Sequence, residues 1–148
     1  MANDLPEGAP VMLRMSVERD NGYLSWLGVQ LEDIEYGAAE LSIPFDERFA
    51  DKDADPPAVH EGITATLAAQ TGELAIRTTM PDPVNDRVAV LNLDVNYHAA
   101  AVDDLTAVGE VVDAGDGSAV AAVTVESRDA NGDLCPVASG QSVYRIGD

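Results

Sequence analysis

The sequence predicts an α+β fold in which one long buried helix is wrapped by a curved antiparallel sheet. Three observations point to it. Residues 59–76, "VHEGITATLAAQTGELAI", are apolar or small on nearly every helical face, and a helix of that kind is buried. Two strand-like segments precede it and four follow, each alternating between apolar and polar residues. The links "GDG" and "ANG" between the later strands are hairpin signals. A twisted sheet can cover such a helix on one side, and its other face suits pairing with another subunit.

The elements follow in order. Residues 9–20, "APVMLRMSVERD", carry Val11, Met12, Met15 and Arg19 at helical spacing, and Asn21-Gly22 supplies a helix stop. "YLSWLG" reads as one helical turn that packs Tyr23, Trp26 and Leu27 inward. "VQLEDIEYGAAELSIPF" reads as two strands around Tyr36-Gly37. Residues 46–57, "DERFADKDADPP", read as an acidic, mobile loop. Pro56-Pro57 at its end cannot continue a helix from upstream. The buried helix is expected from Gly62 to Ile76. Strands are then expected at 86–97, 105–114, 118–128 and 133–146. No repeat or composition shift divides the 148 residues, so a single domain, 1–148, is expected.

Charge narrows the function classes. The chain has 27 acids against 8 bases and a net charge of −19; Lys52 is its one lysine. Such a surface repels nucleic acid and anionic membranes. Self-repulsion destabilises the compact state at ordinary salt, whereas at ~1 M salt the Debye length falls to ~3 Å. The composition therefore reads as adaptation to a salt-rich cytoplasm. No apolar run reaches the roughly 20 residues of a membrane span. "MANDLPEGAP" lacks the basic and apolar regions of a signal peptide, so a cytoplasmic protein is expected. Cys135 is the one cysteine, which excludes an intramolecular disulfide or cysteine zinc cluster. It is expected to pack in a strand.

The order and spacing of three stretches resemble the hotdog-fold acyl-CoA thioesterases of the phenylacetate-degradation type. "YLSWLGVQLEDIEYGAAELSIPF" resembles the family's opening, with Leu27-Gly28-Val29 and Gly37 in place. "VHEGITATLAAQTGELA" resembles its histidine-glycine-glycine helix, and residues 91–146 resemble its closing strands. The resemblance implies hydrolysis of a small or medium acyl-CoA thioester, with coenzyme A entering as part of the substrate. It implies no cofactor or metal, and a homodimer or homotetramer. In that family a backbone N–H just after the histidine polarises the thioester carbonyl, helped by the helix dipole. A carboxylate nine residues after the histidine attacks or activates water, and a strand hydroxyl holds that water.

This chain departs from the pattern at several positions. Glu61 follows His60 where the family has glycine, although Gly62 is retained. Ala69 stands at the carboxylate position and Val90 at the hydroxyl position. Ala99-Ala100 follow Tyr97-His98 where arginine-proline is usual. His60 and Ala69 lie ~13.5 Å apart along the helix on opposite faces, and in the family the two ends meet across a dimer interface. Glu73, four residues after Ala69, is the one helix acid placed to replace the lost carboxylate; Gln70 lies beside it.

The candidate catalytic residues are thus Glu61, Gly62 and Glu73. The candidate substrate-binding residues are His60, Ala69, Gln70, Val90, Tyr97 and His98. Plainer readings stand beside these: His60 as a helix cap, Glu61 as a favourable helix-start charge, Glu73 as a solvated or interface acid. Asn85, Asn92 and Asn96 read as turn and strand residues. Arg77, Arg87 and Arg128 are either surface ion-pair partners or contacts for coenzyme A phosphates. Two functions remain open: a hydrolase with a relocated acid, and a non-catalytic acyl-CoA or acyl-ligand binding protein. A hydratase ranks last, because His60 and His98 lack the required aspartate–histidine spacing.

Overall fold

The computed structural model describes residues 4–147. Helix α1 (Ala9–Met15) runs into a π-helical segment (Ser16–Asp20), and helix α2 (Gly22–Leu27) follows. Strands β1 (Gln30–Glu35) and β2 (Ala38–Ile43) form a hairpin. The short strands β3 (Ala50–Asp51) and β4 (Ala58–Val59) pair just before the long helix α3 (Glu61–Arg77). Strands β5 (Val88–Tyr97), β6 (Leu105–Ala114), β7 (Ser118–Arg128) and β8 (Leu134–Ile146) complete the chain. The main sheet is antiparallel in the order β1-β2-β6-β7-β8-β5, so β5 stands at an edge.

Helix α3 packs on β2, β5, β6, β7 and β8. Leu67, Leu74, Ala75 and Ile76 are essentially sealed from solvent; burying a Leu or Ile side chain stabilises by about 1.5–3 kcal/mol. Two buried threonines bond to the helix backbone. Thr71 Oγ1 donates to the Leu67 carbonyl (2.6 Å) and Thr78 Oγ1 to that of Ala75 (2.6 Å). Thr78 Oγ1 also accepts the Gly37 N–H (2.7 Å), tying the β1–β2 turn to the helix end. Gly109 on β6 lets the helix come close, since a Cβ there would stand 3.0 Å from the Thr71 carbonyl oxygen. Register shifts in β1, β5, β6 and at the β7–β8 pairing bend the sheet around α3.

The expected packing of residues 9–27 is corrected. The buried stripe of residues 9–20 is Ala9, Leu13 and Val17; Val11, Met12 and Met15 are 63%, 50% and 41% exposed, and Arg19 is exposed too. Both stripes have helical spacing, and the one that packs into the core is Ala9, Leu13 and Val17, which recur every four residues. In α2, Leu24 and Leu27 point inward while Tyr23 and Trp26 are half exposed. Asn21 does more than end a helix, because its side chain accepts the N–H groups of Tyr23 and Leu24 and so starts α2. Residues 46–57 are anchored at both ends. Phe49 is buried in a 3-10 turn (Glu47–Phe49), Asp46 caps that turn, and β3 pairs with β4. Cys135 sits half-buried on β8 against the core, as expected.

Candidate active site

The N-terminus of α3 is built by three local bonds. His60 caps it: Nδ1 accepts the Gly62 N–H (2.9 Å), and the His60 N–H donates to the Phe49 carbonyl (2.9 Å). The Ile63 N–H donates to the His60 carbonyl (3.0 Å). Glu61 is the first helical residue, so its N–H has no intrahelical acceptor. That N–H shares a peptide unit with the His60 carbonyl. A hydrogen bond accepted at the carbonyl polarises the unit and strengthens the N–H as a donor. The positive end of the helix dipole adds in the same direction.

Glu61 lines two cavities. One, about 560 Å³, is walled by Trp26, Arg48, Phe49, Asp51, His60 and Ile63. The other, about 330 Å³, is walled by Thr64, Tyr97, His98, Ala99, Ala101 and Val137. Ala58 and Val59 line both. The Tyr97 hydroxyl donates to the Glu61 carbonyl (2.8 Å) and bridges β5 to the helix mouth. Burial pushes the Tyr97 phenol above its ordinary pKa, and the Glu61 carboxylate adds to the shift. Tyr97 therefore stays a donor through neutral pH. His98 Nε2 lies 2.7 Å from Ser139 Oγ.

The other half of the predicted set lies further along the helix. Glu73 lines a third cavity, about 310 Å³, with Ser16, Asp20, Asn21, Gln70 and Arg77. Its carboxylate pairs with Arg77 Nε at 3.0 Å, and both side chains are about four-fifths buried. Arg77 Nη1 also donates to the carbonyls of Pro83 and Asp86. Val90 lies opposite Tyr144 in the β5–β8 ladder, and the Tyr144 hydroxyl donates to the Ala69 carbonyl (2.6 Å). Side chains directly opposite in a ladder share a face, so Val90 and Ala69 flank the same tyrosine.

The structure thus gathers His60, Glu61, Gly62, Tyr97 and His98 at the helix mouth. It gathers Ala69, Gln70, Glu73 and Val90 near its middle and far end. Glu61 and Glu73 are twelve residues apart, ~18 Å along the axis. The sequence reading did not single out Arg48, Ser139, Ser142 or Tyr144. The half-buried pattern of β8 was the available signal for the last two. Arg48 offered little, because Phe49 is merely its chain neighbour and Trp26, the other ring it meets, lies 22 residues upstream.

This geometry has clear relatives. Residues 57–132 match the thioesterase superfamily, and the chain belongs to that family. A candidate esterase of Halobacterium salinarum is 38% identical over 129 residues, which is 86% of this chain and 85% of that one. A solved structure from the thioesterase superfamily is 30% identical, with a TM-score of 0.77 over 92% of this chain and 96% of that one. A thioesterase family protein of Silicibacter pomeroyi has a TM-score of 0.79 at 19% identity, over 94% and 98%; this last likeness bears on the fold alone. The fold is the hotdog fold of that family, a long helix on a six-stranded antiparallel sheet. Among the described residues no helix is long and apolar enough to cross a membrane.

Proposed function

We propose that the protein is a thioester hydrolase acting on the coenzyme A ester of a small or medium acyl group. The observation that carries this reading is the Glu61 N–H, which ends a dipole-aligned helix between two cavities. A thioester carbonyl oxygen there would accept that N–H as negative charge develops on it. Water attacks the carbonyl carbon, the C–O bond forms and the C–S bond breaks. The water proton passes through a base to the departing thiolate, giving acid and thiol. No cofactor enters this chemistry.

The base is Glu73 of a second copy of the chain, because ~18 Å separates the two groups within one copy. The edge strand β5 is the surface for that pairing. It is ten residues long, it exposes Val90 and Leu91, and Asp94 is its one acid in a chain of net charge −19. An exposed strand edge invites pairing, and antiparallel pairing of β5 with itself gives a closed two-fold dimer. Pairing of two such dimers would make a tetramer. We read the acidic surface as adaptation to a salt-rich cytoplasm; the Halobacterium relative supports that reading.

A specific observation favours a second reading, an acyl-CoA binding protein without turnover. Arg77 holds Glu73 in an ion pair, so Glu73 Oε2 already accepts a hydrogen bond within its own helix. Ala69 and Val90 supply neither carboxylate nor hydroxyl. A screen of acyl-CoA esters in molar KCl, following thiol release, separates the readings. Release from at least one ester supports the hydrolase. Binding without release supports the second reading, and neither binding nor release contradicts both.

A further inference from the structure

The two cavities that meet at Glu61 differ in chemistry. The smaller is lined largely by alanine, valine and threonine, with Tyr97 and His98 at one side. The larger holds Arg48, the one arginine or lysine among the described residues that line either cavity. The Arg48 guanidinium carbon lies 4.8 Å from the Trp26 ring centroid and 5.0 Å from that of Phe49. The two rings meet edge-on at 5.3 Å. Phe49 is buried, which fixes the corner, while Trp26 is 51% exposed.

We infer that the Trp26–Arg48 corner binds the purine nucleotide end of a coenzyme A ligand, which sends the acyl group into the alanine-lined cavity. This inference rests on the acyl-CoA reading above. A planar guanidinium held on an aromatic ring offers a flat surface on which a purine stacks. Arg48 Nη2 donates to the Trp26 carbonyl (3.1 Å) and Nε pairs with Asp46 (3.2 Å). Neither contact engages Nη1, which can meet a phosphate oxygen in a charge-assisted bond. Two of the arginines that the sequence offered as phosphate contacts are used elsewhere. Arg77 is committed to Glu73 and two carbonyls, and Arg128 Nη1 donates to the Gly132 carbonyl. Asp46 and Asp51 oppose an anion at the corner. Molar salt screens that repulsion over distances beyond ~3 Å and spares direct contact.

The test is calorimetric binding of coenzyme A, adenosine 3′,5′-bisphosphate and pantetheine in molar KCl. The wild type is expected to bind coenzyme A and the bisphosphate. Arg48→Gln should weaken both about tenfold, the loss of one charged hydrogen bond, and leave pantetheine unchanged. Trp26→Leu should produce the same ranking through lost stacking, and its ring is exposed enough to be replaced without opening the core. Equal affinities in wild type and both variants would overturn the inference, as would equal losses for coenzyme A and pantetheine or no binding of coenzyme A by the wild type. The two proposals fail separately. Nucleotide binding lost in Arg48→Gln by a protein that hydrolyses nothing keeps this subsite and sinks the hydrolase. Hydrolysis of acyl-CoA with an unchanged KM in Arg48→Gln does the reverse.

Discussion

The hydroxyl of fully buried Tyr144 donates to the carbonyl oxygen of Ala69 across 2.6 Å and lies 2.7 Å from Ser142 Oγ, which fixes the middle of α3 on the sheet. Removing it strands a buried hydroxyl at Ser142. Tyr144→Phe is therefore expected to cost about 1–3 kcal/mol in denaturant unfolding. Gly72 faces the same pair, and a Cβ there would stand 2.5 Å from the Tyr144 hydroxyl and 2.7 Å from Ser142 Oγ. Gly72→Ala should destabilise by about 1–3 kcal/mol through overpacking, despite alanine's better helix propensity.

Tyr144 also sets a pH limit. Burial pushes its phenol from 10.0 up to about 12, and the Glu73 carboxylate adds to the shift. The folded state thus keeps a proton that the unfolded chain releases. Its stabilising effect is complete below pH 10 and is lost as the pH rises from 10 towards 12. A melting series in that window should fall more steeply for wild type than for Tyr144→Phe; equal slopes would remove Tyr144 as the cause.

Thermal stability should rise as KCl increases from ~0.1 to ~2 M, because screening removes the repulsion of a chain with net charge −19. A melting series in KCl tests it. A flat or falling trend would count against the salt-adapted reading.

The sheet was legible in the sequence because its strands alternate and their turns are short. Residues 105–114 and 118–128 match β6 and β7 end for end. The helix was legible because only a buried segment can be apolar on every face. Less of residues 9–27 could be read. Two apolar stripes compete there, and the choice depends on how the segment lies on α3 and β1. The β3–β4 pairing is two residues long on each side, too short for a periodic signal. In the site, the cap at His60 was one of the two readings of that residue, and the role of the Glu61 N–H came from the family resemblance. The Tyr97 bond to Glu61 joins residues 36 apart, and the Tyr144 bond to Ala69 joins residues 75 apart. Contacts of that range belong to the topology, which spacing along one segment does not carry. The ion pair that ties Glu73 to Arg77 was available as an i,i+4 pair.

Assembly is expected to depend on β5. Leu91 is 53% exposed on that edge, and Leu91→Lys would place a charge in the proposed pairing surface. Light scattering in high salt should show wild type as a dimer or tetramer and the variant shifted towards monomer. A wild-type monomer at micromolar concentration would contradict the shared site.

Ala69→Asp should raise hydrolysis if the cavities accept the thioester. The double variant Ala69→Asp, Val90→Ser should exceed it, because both positions flank Tyr144 and the serine supplies a hydroxyl for the water. Rates of thiol release from the best acyl-CoA ester measure the gain. A double variant no faster than the single one would count against a role for Val90.

Glu73→Gln, assayed with acyl-CoA in molar KCl, decides the proposed claim that Glu73 has taken over from the missing carboxylate. The substitution removes the charge and keeps the shape. Thiol release should fall by about 10²–10⁴-fold, the contribution of one positioned general base, while coenzyme A binding stays within a factor of about two, under half a kcal/mol. Unchanged release in Glu73→Gln, from a wild type that does turn over, would contradict the claim and place the base elsewhere.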